Sequence, residues 1–330
     1  KAKSGVAIKK PGPQGRPANG IFSSGARLAE QMVQVGYNAQ HKEYWHWQVP
    51  AYIVTKDIAA GIFLVLSMLL FLLPEFSLSD RSYALLTTVS LFFTLVTTAL
   101  LVFDLEKPLR FLSILYRPQW RSWLTRGAYI LVTFSLIITA WCGLEWANLL
   151  GYYTNDISYY RFDILTYFSP IAFGTAIYTA FLFGQAEGRD LWQSPILPIQ
   201  LFVRSIICGC LPILLVVGAT SINSTSVLSV TTAILAFSIS ANFLLSVVGE
   251  FAMPHQTDVA ARAAHDITSG RYKKQFWIGY ILVGNIAPLA LGFSQGWSTT
   301  NSIICSILAI TGIFVMEYIF VMAPQKVPNS

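Results

Sequence analysis

Residues 83–123 read YALLTTVSLFFTLVTTALLVFDLEKPLRFLSILYRPQWRSW. The first twenty-one residues, 83–103, carry no charge, whereas 104–122 hold four cations and two carboxylates. At 1.5 Å per residue an uncharged helix of that length is about 30 Å long, the thickness of a hydrocarbon layer. The abrupt change at Asp104 therefore predicts a membrane-spanning helix that ends in a cation-rich loop. The same alternation recurs along the 330 residues, giving eight spans at 50–73, 83–103, 123–147, 164–184, 198–219, 227–247, 276–294 and 302–322.

Composition agrees with that reading. Hydrophobic residues make up 54% and charged residues 12% of the chain, with a mean hydropathy of +0.56. A soluble domain carries roughly twice that charge. Twenty of the 22 Lys and Arg are assigned to the side of 1–49, 104–122, 185–197, 248–275 and the C-terminal tail, and the opposite loops hold only Arg81 and Arg161. Positive charge stays inside, so the expected fold is an all-α integral membrane protein with eight transmembrane helices and both termini cytoplasmic. The net charge of +6 is then explained by orientation against anionic lipid, and no nucleic-acid partner is expected. Trp45, Trp47, Trp120, Trp123, Trp146, Trp192, Trp277 and Trp297 fall near span ends, as an aromatic belt requires. Pro170, Pro212 and Pro288 fall within apolar runs and are expected to kink them, while Gly61, Gly127, Gly174, Gly279 and Gly284 allow close helix contact.

The expected organisation is an N-terminal extension at 1–43, a membrane domain at 44–322 and a tail at 323–330. Residues 1–22 contain KKPGPQGRPANG, which cannot form a core, so order there implies docking on a partner subunit. Residues 24–36 read as a short amphipathic helix between Ser24 and Gly36, resting on the membrane or on that partner. No apolar run near the start suggests a secretory signal.

Chemistry is expected at the cytoplasmic face. His41, His46, His255 and His265 all lie on that side, and no span has an interior His. Paired axial His ligands for a b-type heme are thus lacking. Cys142, Cys208, Cys210 and Cys305 lie in apolar runs without a CxxC pair, so no metal site, heme or iron–sulfur cluster is expected in this protein. The first span begins Tyr44-Trp45-His46-Trp47-Gln48-Val49-Pro50. Aromatic rings beside an imidazole and an amide suit a flat quinone, which stacks on rings and takes hydrogen bonds at its carbonyls. An interfacial Trp anchor with a solvated His is the competing reading. Lys56 and Asp57 sit further in; adjacent helical side chains diverge by about 100°, so they are not expected to pair. Lys56 is expected to snorkel to the surface, and Asp57 to need an internal partner and serve as a proton relay. Tyr178 should lie about two turns below the face of His46, and is either a hydrogen-bond donor to a second quinone oxygen or a packed Tyr. Glu317 in the last span and Glu145 near the opposite face are candidate proton-path groups, whereas Asp104 and Glu250 at span ends are expected to be solvated.

Several segments resemble one family. Asp104-Leu-Glu-Lys107-Pro108-Leu-Arg110-Phe111, followed by Arg117-Pro118-Gln-Trp120-Arg121-Ser122-Trp123, is similar to the loop signature of the NrfD/polysulfide reductase membrane-subunit family. The order His255, Ala264, Gly270, Phe276-Trp277, Gly284, Pro288 fits as well, as do Trp45–Gly61 and Gln185–Trp192. The resemblance implies two four-helix bundles and a heme-free, quinone-binding subunit of a multi-subunit oxidoreductase in the bacterial cytoplasmic membrane. It implies a site of His46 and Tyr178, with Trp45, Trp47 and Gln48 about a menaquinone or ubiquinone. It also implies an iron–sulfur partner, with a molybdopterin-type catalytic subunit beyond it. Asp104, Lys107, Arg110, Arg117 and Arg121 would meet the iron–sulfur partner, on the cytoplasmic side by the charge pattern. A secondary transporter is disfavoured because most ionisable groups gather at one face. A passive membrane anchor is the remaining alternative.

Overall fold

In the computed structural model the described residues are 45–73, 76–104, 114, 116–153, 156–186, 189–220, 225–253, 255 and 257–327. The extension at 1–43, the helix expected at 24–36, Lys107 and Arg110 lie outside them. Among the described residues, eight helical stretches are long and apolar enough to cross a membrane. They comprise α1 (Gln48–Leu72), α2 (Asp80–Asp104), α3 (Trp123–Leu149), α4 (Ser158–Tyr167) continued by α5 (Ser169–Gly184), and α6 (Leu197–Thr220). Next come α7 (Thr225–Leu244), running into a π-helical turn (Leu245–Phe251), and a short amphipathic α8 (Asp258–Thr268). A π-helical stretch (Gln275–Ile286) continued by α9 (Ala287–Gln295), and α10 (Thr299–Lys326), complete the set. No strand occurs among the described residues.

Proline explains two of the breaks. Pro170 stands in the first turn of α5 and Pro288 in the first turn of α9. Neither can donate to the preceding turn, so the helix restarts at Phe168 and widens to π geometry before Ala287. Pro212 lies inside α6 without interrupting its assignment. The last helix runs further than expected: Ala323, Pro324 and Gln325 are helical and buried. Part of the expected tail is therefore built into the core.

α1 is the most enclosed span, with 78% of its apolar window buried against 28% for α2. It packs on α2, α5 and α6, and α6 in turn packs on α7 and α10. Glycine permits the tightest of these crossings. A Cβ on Gly61 would collide with the Ser205 carbonyl oxygen, and one on Gly209 with the Gly61 carbonyl. α1 and α6 thus touch backbone to backbone, one turn from Asp57. Gly284 and Gly312 do the same for the seventh and eighth spans, while Gly174 has only ordinary contacts.

Candidate functional site

The residues before α1 are held by the end of α10. The Trp45 amide donates to Gln325 Oε1 at 3.0 Å, and Gln325 Nε2 donates to the Trp45 carbonyl at 2.9 Å. The Trp45 ring stacks on Trp192 at 4.6 Å and leans on Phe183 at 5.2 Å. Trp192 donates its indole N–H to the Phe320 carbonyl, and Arg189 donates to the carbonyls of Pro324 and Val327. Trp45 is therefore committed to an aromatic clasp. His46 and Trp47 are left facing outward, Trp47 with 56% of its surface exposed. Gln48 follows, half-buried, with Oε1 enclosed and without a hydrogen-bond partner among the described residues.

Deeper along α1 the site becomes polar and closed. Asp104, at the end of α2, is within electrostatic range of His46 and of the buried Tyr52. The Thr179 hydroxyl sits beside the Tyr52 and Tyr178 phenols, yet makes no well-formed hydrogen bond to a described residue. Tyr178 is buried on Gly127 of α3, where a Cβ would run into the ring. The Lys56 ammonium lies 5.5 Å from the Tyr178 ring centroid. Ten residues separate Lys56 from His46, about 15 Å along a helix. The structure thus brings Tyr178 together with Lys56 rather than with His46, and Tyr52 and Thr179 occupy the interval.

Lys56 and Asp57 depart from expectation. Both are fully buried, and they form an ion pair with Lys56 Nζ 3.0 Å from Asp57 Oδ1. Lys56 does not reach the surface; its Nζ donates to the Ala176 carbonyl at 2.5 Å. The long lysine stem bends around the helix to bridge the 100° between neighbours, because α5 and α6 close off any route to water. Ser205 donates to Asp57 Oδ1 at 2.7 Å, which supplies the internal partner that Asp57 required.

A second buried network adjoins the first. Arg204, next to Ser205 on α6, donates to Glu317 of α10 at 2.5 Å and to Asn242 Oδ1 at 3.2 Å. Asn242 donates to Asn285 Oδ1, Asn285 donates to the Tyr280 carbonyl, and the Tyr280 and Ser246 hydroxyls bond each other at 2.5 Å. Counting cations by side assigns Arg204 to the cytoplasmic face and passes over Asn242 and Asn285. An Arg amid the apolar run 197–210, and an Asn in each of two other spans, are costly facing lipid and were the available signal. Three atoms here have no partner among the described residues: Asp57 Oδ2, Glu317 Oε2 and Arg204 Nη2. Asp57 and Glu317 also interact electrostatically. Buried charged atoms left in that state call for bridging water.

The far end holds a third cluster. Arg161 donates to both oxygens of Glu145, at 2.9 and 2.6 Å, and to Asp80 at 2.7 Å. Trp141 donates to Glu145 Oε1, and the Arg161 guanidinium lies 4.1 Å from the Tyr83 ring centroid. Arg161 belongs to α4 rather than to a loop, because the fourth span begins at Ser158. Phe63 packs on Phe134 and Trp141, so aromatic rings stand between Glu145 and Asp57.

Arg117 and Arg121 are exposed on the surface. Gln185 ties this loop to α5, accepting from the Trp123 amide and donating to the Arg121 carbonyl. Glu250 is not solvated as expected; it is buried and accepts from Ser194 at 2.5 Å. The π turn shifts helical register there and swings its carboxylate toward the protein. Burial holds the His255 imidazole below its ordinary range.

Comparison with known proteins places the sequence in a family. A family profile described as Polysulphide reductase, NrfD matches residues 37–329. The protein is also similar to the C chain of polysulfide reductase from Wolinella succinogenes, 23% identical over 312 residues, which span 85% of the present sequence and 94% of that relative.

Proposed function

This chain belongs to the polysulphide reductase NrfD family, and on that premise we propose that it is the quinone-reactive membrane subunit of an oxidoreductase complex. One observation carries the reading. Polar groups descend from exposed His46 past Gln48, Tyr52 and Thr179 to buried Tyr178, Lys56 and Asp57. Gln48 Oε1 and Thr179 Oγ1 along that descent lack partners among the described residues. Unsatisfied acceptors beside phenol, imidazole and ammonium donors fit a flat molecule that both accepts and donates hydrogen bonds.

A menaquinone or ubiquinone held there supplies two-electron, two-proton chemistry. His46, exposed at the entrance, exchanges protons with water, and Asp104 lies within electrostatic range of it. Trp47 offers the free aromatic face, since Trp45 is engaged by Trp192. Tyr178 donates a hydrogen bond, and the Lys56 ammonium beside it favours negative charge at the same place. Asp57 and Glu317 carry protons inward through water at their unpartnered oxygens. Glu145 is tied into its ion pair with Arg161, so its part in a proton route would require water to pass Phe63 and Trp141.

Electrons arrive from or leave to an iron–sulfur subunit on the cytoplasmic side. Asp104, Arg117 and Arg121, with Lys107 and Arg110, form its docking face, and a molybdopterin-type subunit lies beyond. The spans divide into two four-helix bundles, α1–α5 and α6–α10, joined where Gly61 meets Gly209, in the bacterial cytoplasmic membrane with both ends inside.

The test is extraction of the purified complex for bound quinone, with quinol oxidation measured for His46→Ala and Tyr178→Phe. Stoichiometric quinone and a fall of roughly 10²-fold in turnover support the proposal; no quinone, or unchanged turnover in both variants, removes it. A transporter reading is favoured by one observation: Lys56, Asp57, Arg204 and Glu317 meet inside, near broken spans. Solute uptake by proteoliposomes of this subunit alone would select that reading.

A further inference from the structure

We propose that Glu250 is a proton-exchanging carboxyl at the head of a second route to Asp57, separate from the one past His46. Four carboxyl side chains are buried among the described residues: Asp57, Glu145, Glu250 and Glu317. Three of them touch a cation, Asp57 against Lys56, Glu145 against Arg161 and Glu317 against Arg204. Glu250 touches none among the described residues. It accepts a hydrogen bond from the Ser194 hydroxyl at 2.5 Å and keeps 6% of its surface open. A carboxylate locked to a guanidinium holds one charge state. An enclosed carboxyl at a span end without such a partner is free to take up and release a proton.

Polar groups lead inward from it. Ser246 lies one turn earlier in the same π-helical turn, and its hydroxyl meets that of Tyr280 at 2.5 Å. Tyr280 belongs to the other π-helical stretch, Gln275–Ile286, so the two widened segments meet at this bond. Such turns are rare and recur at functional sites. A side chain bonds a carbonyl in each: Gln200 of α6 donates to Leu245 at 3.3 Å, and Asn285 donates to Tyr280 at 2.8 Å. The Arg204 guanidinium lies 6.0 Å from the Tyr280 ring centroid and within electrostatic range of Glu250. Arg204 binds Glu317, whose Oε2, like Asp57 Oδ2, has no partner among the described residues. Water at those oxygens completes a path of hydroxyls and carboxyls from Glu250 to Asp57. Arg204 keeps its own protons and orders that water.

The end point of the route rests on the quinone reading, whereas proton exchange at Glu250 does not. Only protons move along it. Reduction of one quinone takes two electrons from the partner and two protons, one through His46 and one through Glu250; oxidation reverses every step.

The intact complex in its membrane is treated with dicyclohexylcarbodiimide, an apolar reagent that adds the O–H of an enclosed carboxylic acid across its N=C bond. Adducts are mapped by peptide mass spectrometry. Glu250 should carry the adduct, and Glu145, held by Arg161, should not. Glu250→Gln keeps the side chain's size and an oxygen that accepts from Ser194. Its quinol turnover should fall about tenfold with quinone content and melting temperature unchanged, and formic acid, a small proton carrier, should restore part of the rate. Tyr280→Phe should slow turnover in the same way. An unlabelled Glu250, Glu145 labelled as heavily, or full turnover in Glu250→Gln would overturn the proposal. So would a loss of turnover that comes with lower melting and no rescue by formic acid, which would make Glu250 a structural acid. Adduct at Glu250 in a complex that holds no quinone would keep the exchange site and remove the quinone reading instead.

Discussion

At Lys56 and Asp57 two ionised side chains share one enclosed volume, and the consequences of removing either follow from desolvation. Asp57→Asn leaves a buried ammonium with only the Ala176 carbonyl and a neutral amide, a loss of about 3 kcal/mol or more. We expect lower thermal stability together with a fall of roughly 10²-fold in quinol turnover. Lys56→Met combined with Asp57→Leu removes both charges, so stability should recover while turnover does not. A melting curve beside an activity assay separates the two; recovery of turnover would show that Asp57 moves no proton. Arg161→Met should likewise cost about 3–5 kcal/mol, since it strands Glu145 in the core. An unchanged melting temperature would mean that the Arg161–Glu145 pair adds little to stability. Asp57 was legible as a buried acid because a short carboxylate about two turns inside a span cannot reach water. Its pairing with Lys56 was not legible, because it depends on α5 and α6 closing over the lysine stem.

Glycines set the distances between elements, and those distances set the site. Gly127→Val would push a methyl group into the Tyr178 ring, displacing the phenol without altering its chemistry. Quinol turnover should fall as far as in Tyr178→Phe, while melting shifts only modestly; normal turnover would place Tyr178 outside the site. Gly209→Val would separate α1 from α6 and pull Ser205 from Asp57, so loss of folded protein is expected. The eight apolar runs were readable to within a few residues, since lipid enforces length and hydropathy. The early start of the fourth span was hidden because Arg161 looks like a loop residue until Glu145 and Tyr83 are seen around it. The π stretches beside Glu250 and before Pro288 were hidden as well, because only backbone geometry distinguishes them from α-helix.

For the whole molecule, the orientation proposed here follows from charge asymmetry, and the quinone account requires that His46 open to the same side as the basic loops. Single cysteines at Lys274 and Ser298 should be labelled by an impermeant maleimide from opposite sides, Lys274→Cys from the cytoplasmic one. The reverse result would move the electron-donating partner across the membrane. The polar column was only partly readable: His46, Asp57 and Tyr178 stand out by residue type, but Thr179, Arg204 and Asn242 acquire meaning only when helices cross. The most direct measurement is photo-crosslinking of an azido-quinone to the purified complex, followed by peptide mapping. The account predicts label on the start of α1 and on α5 around Tyr178 and Thr179, competed away by unmodified quinone. Label confined to other spans, or label that excess quinone does not displace, would contradict it.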